Sequence, residues 1–429
     1  MFMNRNRAHT SPINATEEIT VVRLAPGGDG VGHIDGKVCF VPYSVPGDHL
    51  RIQLTQTGRR FSRGSILEIL SPGPGRRAPL CPLFETCGGC NWLHIDESVQ
   101  RAAKAEFLSH ALEVPVPEVV PSPLSLGYRG PARLHFHADS SSVVLGFMAA
   151  AGTDIVDVST CPILSPRLND CLLPLREALR AAATEDALHG EIRLATGQDT
   201  AGVCFRPVTP PSADFYRAVE RLPRKPFSGA TLSVDGLETP LFGAGTVTVD
   251  GVDGRPFVAP ASSFGQANTG INRRIAEAVR RSLEARSFRR GIELFAGAGN
   301  LSVTIAPFVK KLVVSELDEA ACLQARINLE SRGYTHARTV PGEAKVVFER
   351  EGTGADLVVL NPPRTGHLEL VGAVAEAGPE AVLYVSCNPS TLARDVAKLR
   401  QAGYNLAEIS GFDMFPQTAH MEATVLLER

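Results

Sequence analysis

The last third of the chain alternates short apolar segments with longer helical segments, and this alternation constrains the fold more than any other feature. From about residue 270 onward the apolar segments are "GIELF", "KLVVSE", "DLVVL" and "AVLYVS". Strand and helix signals that alternate in this way predict a doubly wound α/β domain, a parallel sheet with helices on both faces. Ligands of such sheets bind at the carboxyl ends of the strands. We therefore expect the functional residues at these ends.

A glycine-rich turn follows the first of these strands in "IELFAGAGNLSV". Gly297 and Gly299 let the backbone approach a ligand, but Ser302 stands where a dinucleotide fingerprint has its third glycine. Glu316 ends the next strand, where a carboxylate can accept hydrogen bonds from both hydroxyls of a ribose. The alternative is a surface acid that caps the helix beginning near Asp318. The shortened glycine pattern favours a nucleoside cofactor without a pyrophosphate, such as S-adenosylmethionine, over NAD.

The fourth strand ends in "VVLNPPRTG", where Asn361 precedes two prolines. Each proline fixes its own φ and restricts the residue before it, so this segment is predicted to form a rigid turn. The amide of Asn361 can donate one hydrogen bond and accept another, and it can therefore recognise the edge of a planar base. The alternative is a purely structural turn. The position at a strand end favours the functional role.

The fifth strand ends immediately before Cys387, in "YVSCNPSTLARD". Asn388 and Pro389 predict the N-cap and the first residue of a helix. Partial positive charge at a helix N-terminus favours the thiolate, which predicts a lowered pKa for Cys387. Further along, "FPQTAHMEATVLLE" places Glu422 at the start of a last apolar strand that should return beside the sheet. Glu422 is therefore a candidate proton acceptor. The alternatives are an inert core cysteine and an exposed acid.

Residues from about 17 to 72 show short strand signals between glycine and proline turns, which predict a small β-barrel. Six arginines lie in or just after this region, against a single acid between the first and the last of them, Glu68. These arginines are Arg51, Arg59, Arg60, Arg63, Arg76 and Arg77. An arginine-rich barrel suits an RNA phosphate backbone, and a solvated basic face is an equally open explanation.

Three cysteines follow the barrel in "CPLFETCGGC", and a fourth follows in "VSTCPIL". They are Cys81, Cys87, Cys90 and Cys161. Four thiolates suit either an iron–sulfur cluster or a structural zinc ion, and the spacing alone does not choose between the two. The cysteines without such neighbours are expected in the core, and they are Cys39, Cys171, Cys204 and Cys322.

The whole chain is predicted to divide into four parts. They are a disordered tail over residues 1–15, the barrel over 16–74, a central α+β domain over 75–265 and the α/β domain over 266–429. The central domain is mostly strand-like, with one helix predicted in "DESVQRAAKAEFLSHALE" and another in "SPRLNDCLLPLREALRAAA". The composition is 44% hydrophobic with a net charge of -3, and no apolar run reaches the roughly 18 residues of a membrane helix. The polar start lacks a secretory signal and the nine cysteines are an odd number, so we expect a cytoplasmic protein.

Five motifs resemble, in order and spacing, those of the RNA 5-methyluridine methyltransferases: "SFGQAN", "ELFAGAGNLS", "LNPPR", "VSCNPSTLARD" and "FPQTAHMEAT". The resemblance implies a class I, Rossmann-like methyltransferase domain that uses S-adenosylmethionine. It also implies that Cys387 is the nucleophile that attacks C6 of uracil and that Glu422 is the base that removes the C5 proton. The implied cofactor-binding residues are Gln266, Phe295, Asn300, Glu316, Glu343 and Asn361.

The branch of this family that acts on 23S rRNA carries an amino-terminal TRAM domain, an OB-like RNA-binding module, and four cysteines that hold a [4Fe-4S] cluster. The resemblance therefore implies RNA as the partner, with 23S rRNA as the substrate. A tRNA substrate, a catalytically silent RNA-binding relative and an amine methyltransferase are the alternatives. The family usually has aspartate at the position of Asn361, and a neutral amide can still pair with N3–H and O4 of uracil. No membrane association and no obligate protein partner are evident in the sequence.

Overall fold

The computed structural model describes residues 15–263 and 265–429. The tail predicted over residues 1–15 lies outside these ranges except for Ala15, whose carbonyl accepts a hydrogen bond from Leu54 N. None of the helices in these ranges is both long and apolar enough to cross a bilayer. The described strands form three large sheets and one two-stranded ribbon.

The first sheet is built from the barrel region. Its strands are β1 (Thr16–Thr20), β2 (Arg23–Leu24), β3 (Gly30–Ile34), β4 (Lys37–Val41), β5 (His49–Thr57) and β6 (Phe61–Ser71). They lie in the order β1-β5-β6-β4-β3-β2. Apolar side chains from these strands, and from Val21 between β1 and β2, form a common core: Ile19, Val21, Cys39, Val41, Leu50, Ile52 and Leu54. The short strands predicted for this region are confirmed.

A helix and a short strand follow, α1 (Glu97–Leu112) and β7 (Val119–Val120). The predicted amphipathic helix is confirmed, and Asp96 caps it by accepting a hydrogen bond from Ser98 N at 2.8 Å. Both elements fall within residues 75–265, yet β7 pairs with a strand of the carboxyl-terminal sheet. The domain boundaries drawn from the sequence stay a prediction.

The second sheet occupies the middle of the chain. Its strands are β8 (Pro131–Ala138), β9 (Val143–Met148), β10 (Ile155–Asp157), β11 (Leu188–Thr196), β12 (Ala201–Pro207), β13 (Phe227–Val234) and β14 (Leu237–Gly243). They lie in the order β10-β9-β8-β11-β12-β13-β14. Two helices pack on it, α2 (Pro166–Ala182), which was predicted, and α3 (Ala213–Glu220), which was not. A ribbon of β15 (Thr246–Asp250) and β16 (Pro256–Pro260) follows.

The third sheet is formed by the last third of the chain. Its elements are α4 (Thr269–Glu284), β17 (Phe288–Leu294), α5 (Ser302–Ile305), β18 (Val309–Glu316), α6 (Glu319–Glu330), β19 (Ala337–Pro341), α7 (Ala344–Glu351), β20 (Leu357–Leu360), α8 (Leu368–Ala377), β21 (Ala381–Ser386), α9 (Pro389–Gln401), β22 (Asn405–Phe412) and β23 (Glu422–Glu428). The strand order is β19-β18-β17-β20-β21-β23-β22-β7.

This third sheet confirms the doubly wound fold predicted from the sequence. The strands from β19 to β21 are mutually parallel, and β23 returns antiparallel between β21 and β22. Every residue of β20 is buried, as expected for a parallel strand covered on both faces. The carboxyl ends of β17, β18, β20 and β21 therefore meet at one edge of the sheet, the edge at which the candidate functional residues lie.

Candidate active site and cysteine site

The turn after β17 borders a cavity at the carboxyl edge of the third sheet. Phe295, Gly297 and Gly299 have positive φ angles of 64°, 58° and 86°. Glycine adopts this conformation at little cost, whereas a phenylalanine adopts it only where the surrounding structure holds it. No atom lies within 4 Å of the place that a Cβ of Gly297 would take. The backbone at Gly297 is therefore open to a ligand.

This cavity has a volume of about 930 Å³, its open mouth included. Four of the six predicted cofactor-binding residues line it, and they are Gln266, Phe295, Asn300 and Asn361. The amides of Asn300 and Asn272 exchange two hydrogen bonds of 2.8 Å. Asn272 therefore orients Asn300. It lies on α4 outside every recognisable motif, which is why sequence reasoning missed it.

The other two predicted cofactor-binding residues, Glu316 and Glu343, do not line this cavity. The carboxylate of Glu316 accepts a hydrogen bond from Gly297 N at 2.8 Å and two more from the backbone N–H groups that follow it. It thus ties the glycine-rich turn to the end of β18, while Asp318 caps α6. Glu343 caps α7, and its carboxylate lies 3.4 Å from His367 Nε2. The structure does not bring Glu343 to the cavity wall.

A second cavity lies at the end of β21 and contains Cys387. Its wall also includes Arg364, His420 and Pro26, the last from the turn between β2 and β3. The loop after β20 connects the two cavities, because Asn361 at its start lines the first and Arg364 lines the second. A substrate base in the second cavity would therefore lie next to a cofactor in the first.

The helix predicted after Cys387 begins as expected. Pro389 is the first residue of α9, and Asn388 caps the helix. Asn388 Nδ2 and Thr391 Oγ1 donate hydrogen bonds of 3.3 and 3.1 Å to the carbonyl of Arg364. The first turn of α9 therefore holds the loop that carries Arg364 against the cavity that contains Cys387.

Glu422 begins β23, which is antiparallel to β21. The register pairs Ser386 with Ala423, so the next residues of the two strands, Cys387 and Glu422, are neighbours at the sheet edge. Glu422 is only 6% exposed. Burial raises the pKa of its carboxyl to about 8, and the positive charge of Arg364 opposes this rise. The site thus contains a carboxyl poised near neutral pH.

The lowered pKa predicted for Cys387 is wrong. Burial raises the pKa of the thiol above its ordinary value, and the nearby carboxylate of Glu422 adds to the rise. Arg364 and a backbone hydrogen bond act in the opposite direction but are outweighed. The helix N-terminus is present as predicted, yet desolvation of the sulfur is the larger effect.

The closing loop, residues 413–421 between β22 and β23, leads into Glu422. Gln417 is fully buried at its centre, with a φ of 70°. Its side-chain oxygen accepts hydrogen bonds from Arg77 Nη2 at 2.6 Å and Gln100 Nε2 at 3.1 Å, and its backbone N–H donates to Gln100 Oε1 at 2.8 Å. Trp92 N donates to its carbonyl at 2.9 Å. Residues from the cysteine-rich segment and α1 therefore hold the closing loop.

A buried ion pair anchors the start of the same loop. Lys104 of α1 is fully buried, and its Nζ lies 2.5 Å from Asp413 Oδ1 and 3.0 Å from the carbonyl of Phe415. The ammonium also lies 5.7 Å from the ring centroid of Trp92. Burial lowers the pKa of Lys104, and Asp413 opposes the shift. Each charge of this pair depends on its partner, because no solvent reaches the ammonium.

The two residues after Cys90 connect the closing loop to the first sheet. Trp92 Nε1 donates a hydrogen bond of 2.8 Å to the carbonyl of Gly28 in the β2–β3 turn. Asn91 Oδ1 accepts a hydrogen bond of 3.1 Å from Ala419 N in the closing loop. Asn91 and Trp92 thus hold the closing loop and the β2–β3 turn, the two segments that border the cavity containing Cys387.

The four cysteines predicted as metal ligands line one further cavity, and they are Cys81, Cys87, Cys90 and Cys161. Much of the remaining wall is apolar, with Leu83, Phe84, Leu93, Phe147, Ile163 and Leu164. Burial raises the pKa of Cys90 to about 12 and also raises those of Cys87 and Cys161. The structure therefore brings Cys161 to the other three, as predicted.

Within residues 15–263 and 265–429, no three or more His, Cys, Asp or Glu side chains are gathered closely enough to hold a metal ion. The four cysteines surround their cavity instead of converging on one point. The cysteines predicted for the core are buried, as expected, and they are Cys39, Cys171, Cys204 and Cys322.

Four of the six arginines in and after the barrel have acidic partners. The pairs are Arg51 with Glu18 and Glu68, Arg63 with Asp29, Arg76 with Asp48, and Arg77 with Glu97. Among the described residues, Arg59 and Arg60 at the β5–β6 hairpin have no such ion pair. The six arginines suggested a basic surface on the barrel. Of these six, only the two at the tip of the β5–β6 hairpin are without an ion pair among the described residues.

The strand order, the glycine-rich turn and the cavity at the sheet edge define a class I methyltransferase domain. A family model described as "TRAM domain" matches residues 12–67, and one described as "tRNA (Uracil-5-)-methyltransferase" matches residues 352–429. The crystal structure of Pyrococcus abyssi tRNA (uracil-54, C5)-methyltransferase with S-adenosyl-L-homocysteine has the same fold. It has a TM-score of 0.73 and 24% identity, and the match covers 95% of this chain and 100% of that one.

Curated relatives match along nearly the whole chain. The 23S rRNA (uracil(1939)-C(5))-methyltransferase RlmD of Edwardsiella ictaluri is 31% identical over 96% of this chain and 95% of its own length. The protein of the same name from an Enterobacter species is 31% identical over 100% of this chain and 99% of its own length. The chain belongs to the RNA uracil-C5-methyltransferase family.

Proposed function

We propose that the protein methylates C5 of a uracil in 23S rRNA, at the nucleotide equivalent to the 1939 in the names of its relatives. The observation that carries the proposal is that Cys387 lies in a cavity next to the one lined by Gln266, Phe295 and Asn361, and that the strand register makes the buried Glu422 its neighbour. A thiol, a carboxyl and a cofactor cavity at one sheet edge are what uracil-C5 methylation requires.

The thiolate of Cys387 adds to C6 of the uracil, which forms an S–C6 bond and makes C5 an enolate carbon. When bound, S-adenosylmethionine supplies the electrophilic methyl group that C5 accepts. The carboxylate of Glu422 then removes the C5 proton, and the freed electron pair restores the C5–C6 double bond as the S–C6 bond breaks. Cys387 leaves as a thiolate and Glu422 retains the proton. The positive charge of Arg364 favours the charged form of both groups.

Mapping of 5-methyluridine by mass spectrometry in RNA from a strain that lacks the protein tests this function. We expect loss of the modification at one site of 23S rRNA and its return when the purified protein and S-adenosylmethionine are added to that RNA. Loss confined to tRNA would support the tRNA alternative. Unchanged 5-methyluridine in both RNAs would refute the proposal.

The pKa of Cys387 gives a test that does not depend on turnover. Replacing Glu422 with glutamine removes the carboxylate that disfavours the thiolate, so Glu422→Gln is expected to lower the pKa of Cys387. Alkylation of the Cys387 peptide with iodoacetamide, followed by mass spectrometry between pH 6 and 10, should show its profile displaced to lower pH. Glu428→Gln is the control, because Glu428 lies at the far end of the same strand. Identical profiles for Glu422→Gln and the unaltered protein would contradict the assigned proximity.

We also propose that Cys81, Cys87, Cys90 and Cys161 hold a [4Fe-4S] cluster. A zinc ion must lie about 2.3 Å from each of four thiolates, which requires the sulfurs to converge. Among the described residues the four cysteines line a largely apolar cavity without forming such a convergent group, and a cluster of eight atoms suits such a cavity better than a single ion. Bound iron would also stabilise thiolates that burial otherwise disfavours.

Anaerobically purified protein is therefore expected to absorb visible light and to contain iron and sulfide in equal amounts. Cys161→Ala should lose both the absorbance and most of the iron, because the fourth ligand is missing. Cys171→Ala should keep them, because Cys171 is buried on α2 away from the cavity. Stoichiometric zinc without iron would contradict the cluster.

A further inference from the structure

The second sheet has a polar face that the catalytic site does not use. Along β8 and β11, alternate side chains such as Leu134 and Ile192 are buried in the core that contains α2 and α3. The intervening side chains lie on the opposite face. We call this set the outer strip, and it consists of Arg133, His135 and His137 on β8, His189, Glu191 and Arg193 on β11, and Arg206 on β12.

The strand register arranges the outer strip in rows. Arg133 is paired with Arg193, His135 with Glu191, and His137 with His189, while Arg206 is the partner of Glu191 on the other side. Successive rows are two residues apart along each strand, which is about 6.7 Å. The rows therefore form a regular band of positively charged and titratable groups.

The outer strip carries more positive charge than it can neutralise. Glu191 is the only acid of the strip itself, and it lies 3.5 Å from Arg133 and 4.0 Å from Arg193. Asp139, which follows β8, lies 3.2 Å from His137 Nε2. The buried Nε atoms of Arg193 and Arg206 have no hydrogen-bond partner. Burial lowers the pKa of Arg193, and the charge of Arg206 lowers it further. Arg133 and Arg193 share the carboxylate of Glu191, and Arg206 has no ion pair among the described residues, so these guanidinium groups have capacity for an anion.

This band leads directly to the active site. On the same face of the sheet, the next pair beyond Arg133 and Arg193 is Pro131 and Ala195, and both line the cavity that contains Phe295 and Asn361. Arg193 Nη1 also donates a hydrogen bond of 2.6 Å to the carbonyl of Ser262. The next residue, Ser263, is part of the cavity wall. A chain bound along the outer strip would therefore reach the catalytic edge.

We propose that the outer strip binds the ribose–phosphate backbone of the RNA strand that flanks the target uridine. This inference rests on the proposed function, since it names where the RNA substrate lies. RNA fits better than an acidic protein, because a strand of regularly spaced phosphates matches rows of regular spacing that run toward the site of base modification. The strip contains no Phe, Tyr or Trp for base stacking, so its contacts are electrostatic and independent of sequence.

The test uses the full-length protein and a 23S rRNA fragment that contains the target uridine. Arg133→Gln/Arg206→Gln is expected to raise KM for RNA about tenfold with a much smaller change in kcat. The slope of log affinity against log salt concentration, from filter binding, should fall in magnitude by about 1.4, at about 0.7 for each lost phosphate contact. Arg133→Lys should keep most of the slope.

Arg217→Gln is the matched control. Arg217 lies on α3, and its side chain is 60% exposed and paired with Asp214, against 61% exposure for Arg133. We expect its RNA affinity and salt slope to equal those of the unaltered protein. If the double variant shows the same affinity and slope as this control while the unaltered protein methylates the RNA, the outer strip is not an RNA-binding surface. Absence of methylation by the unaltered protein would instead refute the proposed function, and the binding slopes would still decide the strip.

Discussion

Cys387→Ala is expected to lower kcat for uracil methylation by about four orders of magnitude or more, as loss of an essential nucleophile does in other enzymes. C5 of uracil is a poor nucleophile until a thiolate has added to C6, and no other cysteine lines that cavity. Binding of S-adenosylmethionine, measured by calorimetry, should stay within about twofold of the unaltered protein, because the residues that line the cofactor cavity are unchanged. Methylation that persists at more than one-hundredth of the original rate would refute the covalent route.

A trapped intermediate separates the roles of Cys387 and Glu422. With 5-fluorouridine at the target position, methyl transfer leaves fluorine where the base would remove a proton, so the adduct with Cys387 cannot resolve. The unaltered protein should form a covalent complex that resists denaturing electrophoresis, and Cys387→Ala should not. Glu422→Gln should accumulate such a complex even with ordinary uridine. If Glu422→Gln instead shows no adduct and full turnover, Glu422 is not the base.

Lys104→Met is expected to lower the free energy of unfolding of the surrounding region by about 3–5 kcal/mol, the usual effect of removing one partner from a buried ion pair. The change leaves the carboxylate of Asp413 and the carbonyl of Phe415 buried without the ammonium that pairs them. Trp92 is the only tryptophan in the chain, and it packs against Lys104. Its fluorescence during urea denaturation therefore reports on this region directly.

The double variant Lys104→Met/Asp413→Leu is the control for that result. It removes both charges, and replacement of a buried pair by apolar side chains is often neutral or stabilising. We expect it to recover most of the lost stability. Its kcat should nevertheless be lower than that of the unaltered protein, because the closing loop that leads into Glu422 has lost an anchor. A double variant as unstable as Lys104→Met would show that packing at this position matters more than charge.

Much of the active site was predictable because its parts are local. Asn388 and Pro389 predict the start of a helix through their own backbone preferences, and the glycines after β17 predict a turn. In a parallel sheet, strand ends converge, so motifs such as those of Asn361 and Cys387 were expected at one edge. The pKa of Cys387 was mispredicted because desolvation depends on neighbours from distant parts of the chain. Glu343 caps a helix, a role that its neighbouring residues alone do not reveal.

The sequence by itself determined the fold class of the third sheet and the start of the helix that follows Cys387, because hydrophobic periodicity and turn chemistry act over a few residues. It also determined which four cysteines are candidate metal ligands. Only the tertiary structure decided which arginines remain unpaired, since each partner lies far away in sequence. It also decided that Gln100, Trp92 and Lys104 hold the closing loop, and that the outer strip runs toward the cofactor cavity. These contacts join residues that are far apart in the sequence, and such residues become neighbours only when the chain has folded.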